Sequence, residues 1–149
     1  MGNMLRKQFS HTVMVPGDLA AVFASLCPVA ELDWAPGWNA VMVYSASGRA
    51  ERGCVFTTRH DPMPTMVWVC SVYDLDQEIE YIRVVPDHFV TIVNIKTTEL
   101  GGQTQCVVTY THTALSAGGA AFMQSHLTEQ GFKSDIDEWP AQIAAYLAR

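Results

Sequence analysis

The side chains of this 149-residue sequence that could move a proton or hold a polar group are scattered along it. Five histidines, His11, His60, His88, His112 and His126, occur singly, without the close His/Cys spacings that bind zinc, so no metal site is expected. No G-x-S-x-G, H-E-x-x-H, G-x-x-x-x-G-K or G-x-G-x-x-G is present. This removes most named enzyme classes, and no cofactor is expected. The catalytic candidates that remain are His112, Tyr110 and Arg83. His112 can serve as a general base because imidazole titrates near neutrality, and Tyr110 can polarise a carbonyl by hydrogen bonding. Arg83 can anchor an anionic or carbonyl group. The plainer account is that His112 and Tyr110 cap a strand end and satisfy backbone groups. Glu31 and Asp33 look like an acid pair, but residues at i and i+2 point apart on a helix, and acids near helix starts serve as electrostatic or capping groups. Trp34 and Trp38 read as packing residues, either of which could close one end of a pocket. Met63 and Met66 flank a proline-rich loop and could form an adaptable lid or simply pack it.

The elements that must position these residues are bounded by composition. Hydrophobic residues make up 49% of the chain and charged ones only 16%, with fifteen aromatics, which excludes a disordered chain or a polar scaffold. The length suits a single domain over residues 1–149. Fifteen acidic against nine basic residues give a net charge of -6, and no Lys/Arg cluster is present to neutralise phosphates, so nucleic acid is not expected as a partner. No apolar run of about eighteen residues and no secretion signal are seen, so a cytoplasmic protein without membrane insertion is expected. Cys27, Cys54, Cys70 and Cys106 lie far apart among apolar neighbours and read as buried free thiols.

Phe9 to Val15 alternates as a half-buried strand. After Pro16-Gly17-Asp18, the residues Leu19, Val22, Phe23 and Leu26 mark one face of a short helix, and Pro28 to Trp38 reads as a second short helix and a corner. Six strand-like stretches follow: Trp38–Tyr44, Cys54–Arg59, Met66–Tyr73, Glu78–Val85, Phe89–Glu99 and Thr104–Ala114, separated by Gly, Pro, Asp and Ser clusters. Short connections make neighbours antiparallel. Ser116 can cap a terminal helix whose stripe runs through Met123, Leu127, Phe132, Ile136, Trp139, Ile143 and Leu147. The five-residue step between Leu127 and Phe132 predicts a bend or break beside Gly131, and Pro140 a second irregularity. The fold class is α+β, helices segregated to one side of a seven-stranded antiparallel sheet.

Centring hairpins on Pro86-Asp87 and on Gly101-Gly102 puts Glu80, Val93 and Tyr110 in one row and Ile82, Thr91 and His112 in the next. That face also holds Val84, Phe89, Ile95, Cys106 and Val108, while Asn94, Lys96, Thr109, Thr111 and Thr113 face water. The expected ligand-binding residues are therefore Val69, Ser71, Ile82, Thr91, Val93, Val108, Tyr110 and His112, with Met123 and Leu127 from the helix. The same register leaves Trp68, Cys70 and Tyr81 outside beside Arg83, an apolar patch on which a homodimer could form. One bulge would reverse this and turn Trp68, Tyr81, Arg83 and Asn94 into the pocket.

The order of elements, with Leu26-Cys-Pro-Val-Ala-Glu-Leu-Asp-Trp-Ala-Pro-Gly-Trp38, Gly53-Cys-Val-Phe-Thr-Thr58 and Thr109-Tyr-Thr-His-Thr-Ala-Leu-Ser116, resembles the START/Bet v 1-like superfamily, also known as SRPBCC or polyketide cyclase/dehydrase-like proteins. The resemblance covers nearly the whole chain. It implies a helix-grip fold, a curved seven-stranded sheet around a long C-terminal helix, with a cavity for an apolar small molecule between them. The small residues Ala117-Gly-Gly-Ala-Ala121 support an unfilled volume. The leading expectation is binding or carriage of a hydrophobic or aromatic small molecule by a monomer or homodimer. The alternatives are an enzyme resembling aromatase/cyclases and an interaction module resembling chaperone activators, because function resides in the site rather than the fold.

Overall fold

A computed structural model describes residues 2–149. Strand β1 (Arg6–Val15) precedes helices α1 (Leu19–Ser25) and α2 (Pro28–Glu31), followed by β2 (Val41–Tyr44), β3 (Val55–Thr58), β4 (Met66–Asp74), β5 (Glu78–Val85), β6 (Phe89–Leu100) and β7 (Gln103–Ala114). Helices α3 (Ala117–His126), α4 (Glu129–Asp137) and α5 (Trp139–Leu147) close the chain. One sheet in the order β1-β7-β6-β5-β4-β3-β2 contains all seven strands, each antiparallel to its neighbours. With the terminal helices packed on it, this is the helix-grip α+β arrangement.

Local chemistry explains the helix boundaries. The Asp18 carboxylate accepts the Ala21 N–H at 2.9 Å and starts α1. Pro28 opens α2, where a missing N–H costs nothing. Ser116 accepts from the Gly119 N–H at 3.0 Å to start α3. The predicted break is present, and its cause is a second cap: the Thr128 hydroxyl accepts the Gly131 N–H at 3.1 Å and starts a new helix at Glu129. The Lys7 ammonium reaches the carbonyls of Met123 and Leu127 at 3.4 and 3.5 Å, a cation placed on the negative end of α3. Pro140 lies in the first turn of α5, so it marks another helix start.

Two hairpins decide which side chains face inward. Between β6 and β7, Leu100 pairs with Gln103 across Gly101-Gly102, both at positive φ, a two-residue turn that fixes Val93 opposite Tyr110 and Thr91 opposite His112 as expected. Between β5 and β6 the loop has three residues instead of two. Val85 pairs with Phe89 around Pro86, Asp87 and His88, and Asp87 takes a left-handed φ of 65°. The odd residue shifts β5 by one and exchanges its faces. Tyr81 therefore sits beside Val93, and Arg83 beside Thr91. Strand β4 follows, with Trp68 opposite Arg83 and Cys70 opposite Tyr81.

The expected placement of Val69, Ser71, Ile82, Val84 and Glu80 on the inner face is thus corrected: they belong to the outer one. Ser71 occupies the irregularity between Cys70 and Val72, and its hydroxyl donates to the Glu80 carboxylate at 2.8 Å. Asn94 stays outside as well, donating to Glu78 and Glu80 at 2.7 and 3.1 Å. Trp68 at 7% exposure and Tyr81 at 4% are interior, so the apolar outer patch expected around Trp68 does not exist.

The small residues at the start of α3 do not leave space open either. A Cβ on Gly119 would collide with the His88 carbonyl, because α3 lies directly on the β5–β6 loop. Ser116 donates to the Asp87 carbonyl at 2.6 Å and Leu115 N–H to the His88 carbonyl at 2.8 Å. Glycine here permits close approach.

Candidate functional site: a polar-floored aromatic cavity

Between the inner face of the sheet and the broken helix lies a cavity of about 380 Å³. The sheet supplies Phe56, Trp68, Tyr81, Arg83, Val93, Ile95, Tyr110 and His112. The corner after α1 supplies Glu31, Trp34, Ala35 and Trp38, and the helices supply His126, Leu127, Thr128, Gly131, Phe132, Asp135, Ile136 and Trp139. Of these, His126, Thr128, Gly131 and Asp135 are exposed, so the mouth lies at the break between α3 and α4.

Strand alternation and the Trp-rich corner together build an aromatic wall. Phe56 and Trp68 stack at a centroid distance of 5.4 Å, and Trp38 meets Trp68 edge to face at 5.4 Å. Three indole N–H groups are already engaged: Trp34 donates to the Ser25 carbonyl at 2.7 Å, Trp38 to the Pro28 carbonyl at 2.9 Å and Trp68 to the Thr58 hydroxyl at 2.9 Å. With their polar atoms satisfied, the rings offer apolar surface to the cavity.

The polar floor is one row across three strands. The Arg83 Nη2 donates to the Thr91 hydroxyl at 2.9 Å, and Thr91 lies 2.7 Å from His112 Nδ1. Since guanidinium can only donate, Thr91 accepts from it, and its own proton is available to Nδ1 in the tautomer that carries the imidazole proton on Nε2. Burial, with the Arg83 and Lys7 charges, pushes His112 down to about 4. A neutral imidazole of that acidity is a weak base. Burial lowers Arg83 from its ordinary value, opposed by Tyr110, and its guanidinium lies over the rings of Trp68 and Phe89 at 5.3 and 5.6 Å.

Burial also shifts Tyr110, Tyr81 and Glu31 toward their uncharged forms. Burial pushes Tyr110 up to about 12 despite the opposing Arg83 charge, with Glu31 and Asp135 adding to the rise, so its phenol remains a donor at neutral pH. The Tyr81 hydroxyl donates to the Leu26 carbonyl at 2.8 Å, tying the sheet to the end of α1. Glu31 is raised well above the carboxylate range by burial and, secondarily, by Cys27. Among the described residues no cluster of three metal-binding side chains forms, and no helix is long and apolar enough to cross a membrane.

Of the residues singled out from sequence, Val93, Tyr110, His112, Leu127 and Arg83 are in the cavity wall. Thr91 and Val108 face inward but are fully buried behind it, Thr91 as the link between Arg83 and His112. Met123 is fully buried in α3. Val69, Ser71 and Ile82 are on the far side of the sheet for the register reason given above. Trp34 and Trp38 do close one end. Met63 and Met66 do not reach the cavity: Met66 is buried and Met63 packs against the core. Glu31, expected to serve as an electrostatic or capping group, is in the wall. Its signal is a pair of acids, Glu31 and Asp33, in a Trp-rich stretch without Lys or Arg.

Solved structures share this architecture. Norcoclaurine synthase from Thalictrum flavum, a point mutant in complex with a transition state analogue, superposes with a TM-score of 0.70 at 11% identity, covering 98% of this chain and 99% of that one. The Mll3558 protein from Rhizobium loti gives 0.66 at 17% identity over 95% and 99% of the two chains. Ara h 8.0201 gives 0.64 at 15% identity over 97% and 99%. No protein-family model and no curated protein matches the sequence. The chain has the START/Bet v 1-like helix-grip fold, as the sequence resemblance implied, and at these identities the likeness speaks to the fold alone.

Proposed function

We propose that this protein binds and carries a hydrophobic or aromatic small molecule in the cavity between its sheet and its C-terminal helices. The observation that carries this reading is the cavity itself. Its volume of about 380 Å³ falls in the range of roughly 300–1,000 Å³ that holds small ligands, and its wall is mostly aromatic and aliphatic with a few convergent polar groups. Holding is favoured over transforming: His112, the natural general base, is a weak one at about 4. Neither the fold likeness nor the polar row identifies a reaction.

The test is a fluorescence titration with N-phenylnaphthylamine, an uncharged apolar dye, on the full chain and on Val93→Trp. Val93 lies in the wall between Tyr81 and Tyr110, so an indole there projects into the open volume. The wild type is expected to bind one dye per chain. The variant should lose at least tenfold in affinity while its urea midpoint changes little. Dye binding that ignores the substitution overturns the reading.

A further inference from the structure

Arg83 is a half-buried cation in the cavity wall that has no ion-pair partner among the described residues. Its Nη2 spends one donor on Thr91, and its Nε is buried with no hydrogen-bond partner. The cavity wall contains two carboxyl-bearing residues, Glu31 and Asp135, and neither forms an ion pair with it. The other charged or titratable neighbours point the same way. Lys7 is a second cation felt by His112, while His112 and Tyr110 face the same space as neutral groups. The Tyr110 hydroxyl makes no hydrogen bond among the described residues, so a phenol and a guanidinium, both donors, line the floor with Thr91 the one acceptor that either of them engages. Burying a charge without a partner is costly, and the cation–π contacts with Trp68 and Phe89 offset only part of that cost.

We infer that the missing partner is the guest: the cavity selects apolar monoanions, with a carboxylate-like head against Arg83 and Tyr110 and an aromatic or aliphatic body against the Trp38–Trp68 wall. This rests on the cavity-binding reading above and adds a charge to it. A planar oxyanion suits guanidinium geometry, which presents paired N–H donors in one plane. A dianion would bring a second charge for which the cavity wall holds no further Lys or Arg.

The experiment is displacement of N-phenylnaphthylamine by two competitors sharing one ring system, naphthoate and naphthylmethanol, at neutral pH. On the wild type, naphthoate is expected to displace the dye at a concentration at least tenfold lower than naphthylmethanol. In Arg83→Met, which keeps the length and apolar stem, that ratio should collapse to about one or invert, whatever the change in dye affinity itself. Arg83→Lys should retain part of the preference. Equal potency of the two competitors on the wild type overturns the inference and needs no variant to fold. So does a preference that survives in folded Arg83→Met. A wild type that fails to bind the dye overturns the cavity reading and this inference with it, whereas bound dye with no anion preference sinks the inference alone.

Discussion

The interior has two regions built from the same sheet, one solid and one hollow. Where α1 and α5 cross the strands, Val15, Val22, Leu26, Val108 and Ile143 are all at 0% exposure. The side chains of two helices and two strands are fully withdrawn from solvent there. Under the α3–α4 break the same sheet is met by a helix interrupted at Thr128, with Gly131 in place of a side chain, and the space stays open. The sheet does not decide between the two outcomes; the continuity of what lies on it does.

This contrast is sharpened by a matched pair of substitutions. Ile143→Ala in the solid region leaves a void that cannot collapse and should cost about 3 kcal/mol by urea denaturation. Ile136→Ala removes the same atoms from the wall of a space already open to solvent, and about half that loss is expected. Equal costs would mean that the hollow is as tightly supported as the core.

A second consequence is pH dependence rooted in the hollow region. His112 sits near 4 when folded and near 6.5 when unfolded, so the unfolded chain binds more protons between these values. Stability should therefore fall as the pH drops from about 6.5 to 4, by about 2–3 kcal/mol. His112→Gln should flatten this part of the profile, as read from urea midpoints across pH. Of opposite sign is the effect of Glu31. Its folded carboxyl is raised, so it favours the folded state while protonated and weakens it as the pH climbs through that raised value. Glu31→Gln should raise the thermal midpoint at pH 8 by a few degrees and leave it nearly unchanged at pH 4.

The sequence makes some of this geometry readable and hides the rest, and the two hairpins show why. Gly101-Gly102 is the residue pair that a two-residue turn with positive φ demands, so the β6–β7 register follows directly. Pro86-Asp87 looks equally like a two-residue turn. Only the left-handed Asp87 and the inclusion of His88 make it three, and nothing in residue type announces this. That one residue decides whether Arg83 and Trp68 face the cavity or the solvent. The helix break is legible because a slip in the apolar stripe must accompany it, whereas its agent, the Thr128 cap, is three residues upstream of the glycine that drew attention. Glu31 was obscured because spacing on a short helix says where two acids point relative to each other, not what the corner beyond them encloses.

The four cysteines acquire a meaning from their burial. Cys27, Cys54, Cys70 and Cys106 are all free and interior, and burial pushes Cys70 and Cys106 up to about 12. Sulfur in that state is a poor nucleophile, since attack requires the thiolate and access to it. Alkylating reagents thus encounter a silent protein until the chain opens, and the pace of their uptake becomes a clock for how often it does.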